Sequence, residues 1–396
     1  MTCYGKSWQQ AIRKEQVDKK SLPQHMNKIF EPPFGRSRLK VFPIEERKSL
    51  TSVEDILVDP ESKSGEVNPD LASQIDNCAQ SILKARNRGA SVMLIYGAHL
   101  LRNGAALILD EMMEQDWLTH LATNGAGTIH DFEYAFLGRS TESVRENVET
   151  GTFGAWDETG RSIMLALAAG GLENKGYGCS LGQFITQDGC ELPSPETLRE
   201  AIIKDPASRL AAAQADCLRL MSQFQLKPGF HAVKNRNKKA SILANAYAHG
   251  VPVSVHPGIG YDIITNHPMF KGSIVGRAAE SDFELFCKAV EDLDQGSVLS
   301  IGSAIMGPQV FEKSLSCVHN VRRQEDRQNV TGHSIHVVDL QDGGKWDWTK
   351  GEPPKNSPAY YLRFCKSYSR MGGIMHYLQC DNATFIHQLY KRLKQA

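Results

Sequence analysis

The chain has 396 residues, of which 41% are apolar and 23% charged, and these fractions are typical of a folded globular protein. Its 45 basic and 45 acidic residues balance, so there is no excess positive charge to bind the phosphates of a nucleic acid. The nine cysteines show no C-x-x-C spacing, and the first residues contain no apolar leader segment. We therefore expect a soluble cytoplasmic protein with no membrane association and no bound metal.

Residues 1–65 are predicted to form an N-terminal arm with a short helix, and residues 66–396 a single domain. The first 50 residues are polar and interrupted by prolines, and their basic residues alternate with Gln, Glu and Asp, as on a solvated surface. A turn-rich segment follows, and the apolar spacing from about Pro69 predicts a long helix with Asp70 near its start.

The pattern changes at residue 91 to short apolar runs that alternate with amphipathic segments. Residues 91–97 form an apolar run that ends in glycine, which is typical of a buried parallel strand. A helix is predicted over 103–115, and a second strand over 117–127 runs into a glycine-rich turn. The three elements together make a βαβ unit.

The middle of the chain, about 138–230, is predicted to be mostly helical, with loops at 170–182 and 188–195. The glycine-rich run from Gly176 to Gly182 has one residue too many for the dinucleotide fingerprint G-x-G-x-x-G and follows no clear strand. We interpret this run as a loop.

The alternation of strands and helices returns in the second half of the chain. It predicts an α/β fold with a mainly parallel, Rossmann-like sheet and helices on both faces. The predicted helices are 241–250, 280–296, 307–324 and 382–396, and the predicted strands are 251–257, 297–304 and 333–340.

Small or polar residues follow each of these strands. In open parallel sheets, ligands bind beyond the carboxyl ends of the strands, and glycines there let the backbone approach a phosphate closely. We therefore predict a ligand-binding site at this edge. A dinucleotide bound there would lack the standard fingerprint, and the acids could hold its ribose hydroxyls or a cationic substrate. The predicted cofactor-binding residues are Gly97, Ala98, His99, Thr123, Asn124, Gly125, Asp262, Gly302, Ser303, Asp339 (or Asp342) and Asp381.

Five stretches of the chain resemble deoxyhypusine synthase in content and order: 92–131, 238–263, 283–315, 333–344 and 357–373. The resemblance covers roughly residues 65–390. It implies NAD as the cofactor, a homotetramer with active sites between subunits, and a catalytic lysine eight residues after a proline. Here that lysine is Lys366, after Pro358, and it would form an imine with an amine substrate.

The chain departs from the family at the positions that hold the polyamine and the ribose. The expected asparagine is His99, two expected glutamates are Ile129 and His130, the expected histidine falls near Pro308, and the tryptophan is Phe364. We therefore expect an NAD-dependent transferase or oxidoreductase whose amine substrate is not the pair of spermidine and the translation factor.

Two alternative functions stay open. The chain could be a non-catalytic NAD-binding oligomer, or a hydrolase in which His130 and Asp131 form an acid–base pair. Asp131 could instead cap a helix. His333 and His336 lie three apart on a predicted strand, point to opposite faces, and so cannot share a metal.

Overall fold

The computed structural model describes residues 34–396, so the predicted arm lies partly outside the described residues, including the basic residues near the N-terminus. The chain divides into two compact units, Met1–Leu39 and Lys40–Ala396. The described part of the first unit contains a 3₁₀ turn at Arg36–Arg38. The second unit begins at Lys40. The division predicted between residues 65 and 66 stays a prediction.

A six-stranded sheet in which all neighbouring strands are parallel forms the centre of the second unit, in the order β10-β9-β8-β2-β3-β7. Counted along the chain, its strands lie in the order 3-2-1-4-5-6, which is that of doubly wound nucleotide-binding sheets. The predicted α/β fold class is confirmed. The strands are β1 Thr51–Ser52, β2 Val92–Tyr96, β3 His120–Asn124, β4 Arg139–Ser140, β5 Gly189–Leu192, β6 Gly229–Ala232, β7 Val253–His256, β8 Ser297–Ile301, β9 Ser334–Asp339 and β10 Ile374–Gln379.

The four strands outside this sheet form two small antiparallel pairs, β1 with β4 and β5 with β6. Helices fill the connections between strands. They are α1 Val53–Ile56, α2 Pro69–Asn87, α3 Ala98–Arg102, α4 Ala106–Glu114, α5 Gly125–Leu137, α6 Val144–Thr150, α7 Asp157–Leu172, α8 Tyr177–Thr186, α9 Pro195–Lys204, α10 Ala211–Phe224, α11 Ile242–His249, α12 Gly272–Glu291, α13 Met306–Gln324, α14 Arg363–Tyr368 and α15 Asn382–Gln395.

Strand β2 shows why the sheet is buried on both faces. All five of its residues are buried. Val92, Leu94 and Tyr96 belong to one apolar cluster, while Met93 and Ile95 belong to another, because successive side chains of a strand point to opposite faces. Helices α2 and α15 contribute to the first cluster, and α13 and α14 to the second.

Several local predictions were wrong, and the loop predicted at 188–195 contains strand β5. The segment that follows Gly176 is the helix α8, not a loop, because its glycines allow close packing: a Cβ at Gly178 would lie 2.0 Å from the carbonyl oxygen of Val253. The sequence analysis also missed β10, an edge strand in which the polar residues His376 and Gln379 weaken the apolar signal of a buried strand. The predicted long helix is confirmed as α2, with Asn68 as its N-cap.

No helix within residues 34–396 is long and apolar enough to cross a membrane.

Candidate functional site

The order of the central sheet reverses between β2 and β8, and two predicted glycines meet there. Gly97 follows β2 and Gly302 follows β8. A Cβ atom at Gly97 would lie 2.3 Å from the carbonyl oxygen of Gly302, so position 97 accepts only glycine without a backbone shift. Gly302 itself has a φ of +60°, in the left-handed region that favours glycine. The structure thus brings the turns after β2 and β8 into contact, at the crevice between these two strands where the strand order reverses.

The residues that follow these glycines differ in accessibility. Ala98 and His99 begin helix α3, where the His99 side chain is exposed. Ser303 is buried, and its hydroxyl oxygen accepts a hydrogen bond from the backbone N–H of Gly307 at 3.2 Å. Its hydroxyl therefore stabilises the start of α13.

A third group of predicted residues lies at the end of β3. Thr123 is buried, and the side chain of Asn124 caps α5 by accepting a hydrogen bond from the N–H of Gly127 at 2.9 Å. The carboxyl group of Asp262, from the loop after β7, packs directly on Gly125, where an added Cβ would lie 2.0 Å from Oδ2.

Asp262 also accepts a hydrogen bond through Oδ2 from the N–H of Gly258 at 2.6 Å. Its Oδ1 accepts no hydrogen bond from the described residues. Burial raises the pKa of this carboxyl to about 6. Asp262 therefore presents one open oxygen beside the end of β3.

The remaining predicted acids lie at other places on the sheet edge and stabilise local turns. Asp339 ends β9 and accepts a hydrogen bond from the N–H of Gln341 at 3.0 Å. Asp342 accepts one from Gly344 at 2.8 Å, and Asp381 caps α15. No hydrogen bond of the described residues joins these acids to Asp262.

His130 and Asp131 follow each other on α5 but bind different partners. Asp131 is buried, and its carboxylate accepts hydrogen bonds from the N–H of Ile242 at 2.7 Å and from the hydroxyl of Ser241. These bonds cap α11, the role considered as an alternative for this residue, and burial raises its pKa to about 7. The structure does not bring the two side chains together as a pair.

The partner of His130 is Ser140. The two atoms Nδ1 and Oγ lie 2.7 Å apart, and the Ser140 hydroxyl donates to Oε2 of Glu133 at 2.5 Å. Since the single hydroxyl proton goes to Glu133, we infer that Ser140 accepts from a protonated Nδ1 of His130. The other ring nitrogen, Nε2, is then an unprotonated acceptor, and no described residue hydrogen-bonds to it.

Glu133 is held in place from two further directions. Its Oε1 accepts hydrogen bonds from Thr159 at 2.9 Å and from Nη1 of Arg47 at 2.7 Å. The Arg47 and Glu133 side chains are each only 1% exposed. Arg47, Glu133, Ser140 and His130 therefore form one chain of hydrogen bonds that runs from a buried ion pair to an imidazole.

Burial lowers the pKa of His130 to about 4; Glu133 acts to raise it, and Arg102 and Arg47 lower it further. The imidazole is therefore neutral near pH 7. It lines a cavity of about 310 Å³ at the start of α5, next to Asp262. The polar side chains that line this cavity include Arg47, Arg102, His130, Glu133, Glu142 and Asp262.

Lys366 lies in a different part of the fold. It is half-buried on α14, and its ammonium nitrogen lies 3.7 Å from the centre of the Tyr360 ring. Helix α14 connects β9 to β10, whereas His130 follows β3, and β8 and β2 lie between β9 and β3. Neighbouring strands lie roughly 4.8 Å apart, so β9 and β3 are about 14 Å apart across the sheet. The three predicted catalytic residues, Lys366, His130 and Asp131, therefore do not form one group.

Sequence reasoning missed Arg47, Glu133 and Ser140. Glu133 stands three residues after His130 on one helix, and this spacing, which places two side chains on one face, could have identified it. Arg47 and Ser140 carry no such local signal, because each reaches Glu133 through tertiary packing.

No protein-family model matches the chain, and no curated protein matches it either. Among solved structures, AgrE in a complex with ornithine and NAD⁺ is 12% identical with a TM-score of 0.41, covering 83% of this chain and 34% of AgrE. A candidate LOR/SDH protein from Methanococcus maripaludis is 12% identical with a TM-score of 0.39, covering 90% of this chain and 76% of that one.

A candidate deoxyhypusine synthase from Entamoeba histolytica is 8% identical with a TM-score of 0.34, covering 84% of this chain and 96% of that one. The chain thus spans about a third of the length of AgrE. No family is assigned to the chain on these values.

Proposed function

We propose that this protein is an NAD-dependent enzyme that binds the dinucleotide across the crevice between β2 and β8. The observation that carries the proposal is the strand order 3-2-1-4-5-6 together with the contact of Gly97 and Gly302 at the point of reversal. Sheets of this order bind dinucleotides at that point, where the backbone must approach the pyrophosphate closely.

The residues around the crevice fit such a ligand. Helix α5 has thirteen residues and begins at Gly125, directly beyond β3, so the positive end of its dipole favours negative charge at the same edge of the sheet. Asp262 offers its open Oδ1 to ribose hydroxyls beside the same glycine. When bound, the dinucleotide would supply the capacity to accept a hydride.

Amine transfer through Lys366 is a separate and finer part of the proposal. A lysine attacks an imine carbon through the lone pair of its nitrogen, and in the structure the Lys366 nitrogen lies over the Tyr360 ring, 3.7 Å from its centre. Lys366 must therefore leave this ring to react. Its half-buried position on the connection after β9 supports the assignment, because β9 adjoins β8 at the crevice.

Isothermal titration of NAD⁺ into the purified full-length chain tests the cofactor. We expect saturable binding that falls at least about tenfold, or 1.4 kcal/mol, in Gly97→Ala and in Asp262→Asn. Gly276→Ala is the matched control, because a Cβ there meets nothing within 4 Å. A folded chain that binds no NAD⁺ would refute the proposal. Asp262→Asn preserves side-chain size, so it remains informative if Gly97→Ala fails to fold.

Borohydride trapping tests the transfer step with a panel of primary alkylamines and polyamines as the probe, because the altered polyamine positions argue against spermidine as the substrate. In the presence of NAD⁺ we expect a reduced adduct on the peptide that contains Lys366, and none in Lys366→Ala. The control is Lys313→Ala, because Lys313 is exposed and, among residues 34–396, forms an ion pair only with its neighbour Glu312. A chain that binds NAD⁺ but gives no adduct would remove the transferase assignment and leave the cofactor assignment intact.

A further inference from the structure

The cavity beside His130 contains hydrogen-bonding groups that the dinucleotide does not use. The Arg47 guanidinium donates through Nη1 to Glu133 and through Nε to Ser49 at 3.3 Å. Its Nη2 is buried and has no hydrogen-bond partner among the described residues. A buried guanidinium N–H without an acceptor lowers the stability of the folded protein by about 1–3 kcal/mol. An acceptor on a bound ligand would remove this loss.

A second cation stands at the same cavity. Arg102 ends helix α3, is exposed, and makes no ion pair within residues 34–396. Its charge reaches the cavity, because it lowers the pKa of both His130 and Tyr134, although burial is the larger influence on each. Two guanidinium groups with free donors therefore line one space of about 310 Å³.

Two of the three carboxylates of the same cavity, those of Glu142 and Glu133, are already satisfied. Both oxygens of Glu142 accept from the indole N–H of Trp156 at 3.0 Å, and Oε1 also accepts from the N–H of Gly154. Glu133 is held by three donors, including Arg47. Among the described residues, the free groups of the cavity are thus donors on the arginines and two acceptors, Nε2 of His130 and Oδ1 of Asp262.

We propose that this cavity binds a small carboxylic acid. The carboxylate would lie against Arg102 and Nη2 of Arg47, and an adjacent O–H or N–H would donate to Nε2 of His130. A carboxylate fits better than a phosphate, because Glu133, Glu142 and Asp262 line the same walls and would repel a second negative charge. This inference extends the proposed function by naming a class of substrate. It rests on the proposed function only where it takes the bound acid to be the substrate of the enzyme.

Saturation-transfer NMR with the full-length chain tests the site, with L-lactate as the probe. A ligand of this size binds with a Kd of about 1–10 mM. We expect lactate to bind, and lactamide, which has the same shape but no charge, to bind at least tenfold more weakly. Arg102→Gln should lose at least tenfold in lactate affinity. Arg199→Gln is the matched control, since Arg199 is exposed and its one ion pair within the described part of the chain is with Glu196 on α9.

The inference is wrong if lactate does not bind, if lactamide binds equally well, if inorganic phosphate binds more tightly, or if Arg102→Gln keeps full lactate affinity. Titration of NAD⁺ into the unsubstituted chain is measured separately. Lactate binding without NAD⁺ binding would refute the proposed function alone, and the reverse result would refute only the carboxylate site.

Discussion

Replacing Glu133 with glutamine is the substitution whose effect follows most directly from the structure. The Arg47–Glu133 pair joins Nη1 to Oε1 at 2.7 Å, with both side chains 1% exposed. Glu133→Gln retains the size of the side chain but leaves the Arg47 charge buried without its counter-charge. Removing one partner of such a pair costs about 3–5 kcal/mol, so we expect the free energy of unfolding to fall by that amount.

The loss is measured by urea unfolding followed by far-UV circular dichroism at pH 7. The matched control is Glu66→Gln, which removes an acid paired with Lys63 at 3.1 Å, because both of those side chains are more than 80% exposed. Exposed pairs contribute little, so the control should unfold at the same urea concentration as the parent.

A double substitution separates the lost charge pair from a mere change of packing. Replacing both partners, as in Arg47→Met with Glu133→Leu, removes both buried charges and should recover much of the stability lost in Glu133→Gln. A Glu133→Gln variant within about 1 kcal/mol of the parent would show that the buried pair does not carry the free energy assigned to it.

Three further predictions concern His130, His120 and the helix glycines Gly178 and Gly276. Because the pKa of His130 is lowered to about 4, its neutral ring should still react with diethyl pyrocarbonate near pH 5.5, where a reference peptide histidine is about 90% protonated. Peptide mass spectrometry showing loss of the His130 reaction at that pH would contradict the neutral tautomer. Burial lowers the pKa of His120 to about 3. Its contribution to stability is therefore fully present above about pH 6.5 and is lost as the pH falls towards 3, on the order of 3–5 kcal/mol. Urea unfolding at several pH values should show a smaller acid loss in His120→Gln than in the parent, and an equal loss would exclude this histidine as a cause. Gly178→Ala should lower the melting temperature, since the added Cβ would lie 2.0 Å from the carbonyl oxygen of Val253, at a cost of about 1–3 kcal/mol. Gly276→Ala, on an open helix surface, should raise it slightly, and equal melting temperatures would count against close packing of α8.

The strands that determine the fold could be recognised from the sequence because their signal is local. Apolar runs that end in Gly97, Asn124 and Gly302 identified three of the central strands and the edge at which ligands bind. The start of α2 was equally clear from Pro69 and Asp70. Each of these signals lies within a few neighbouring residues, where backbone propensity and apolar spacing act directly.

The identity of the groups that meet at the candidate site was decided by the tertiary structure alone. Sequence proximity suggested a pair of His130 with Asp131, but Asp131 faces the start of α11, and His130 bonds to Ser140 instead. Arg47 reaches Glu133 across 86 residues of sequence, and Asp262 reaches Gly125 from a different loop. The turn glycines and strand positions were thus determined by the sequence itself, because local backbone geometry depends on local residues. The hydrogen-bond partners of buried polar groups were not, because they depend on which distant elements pack against each other.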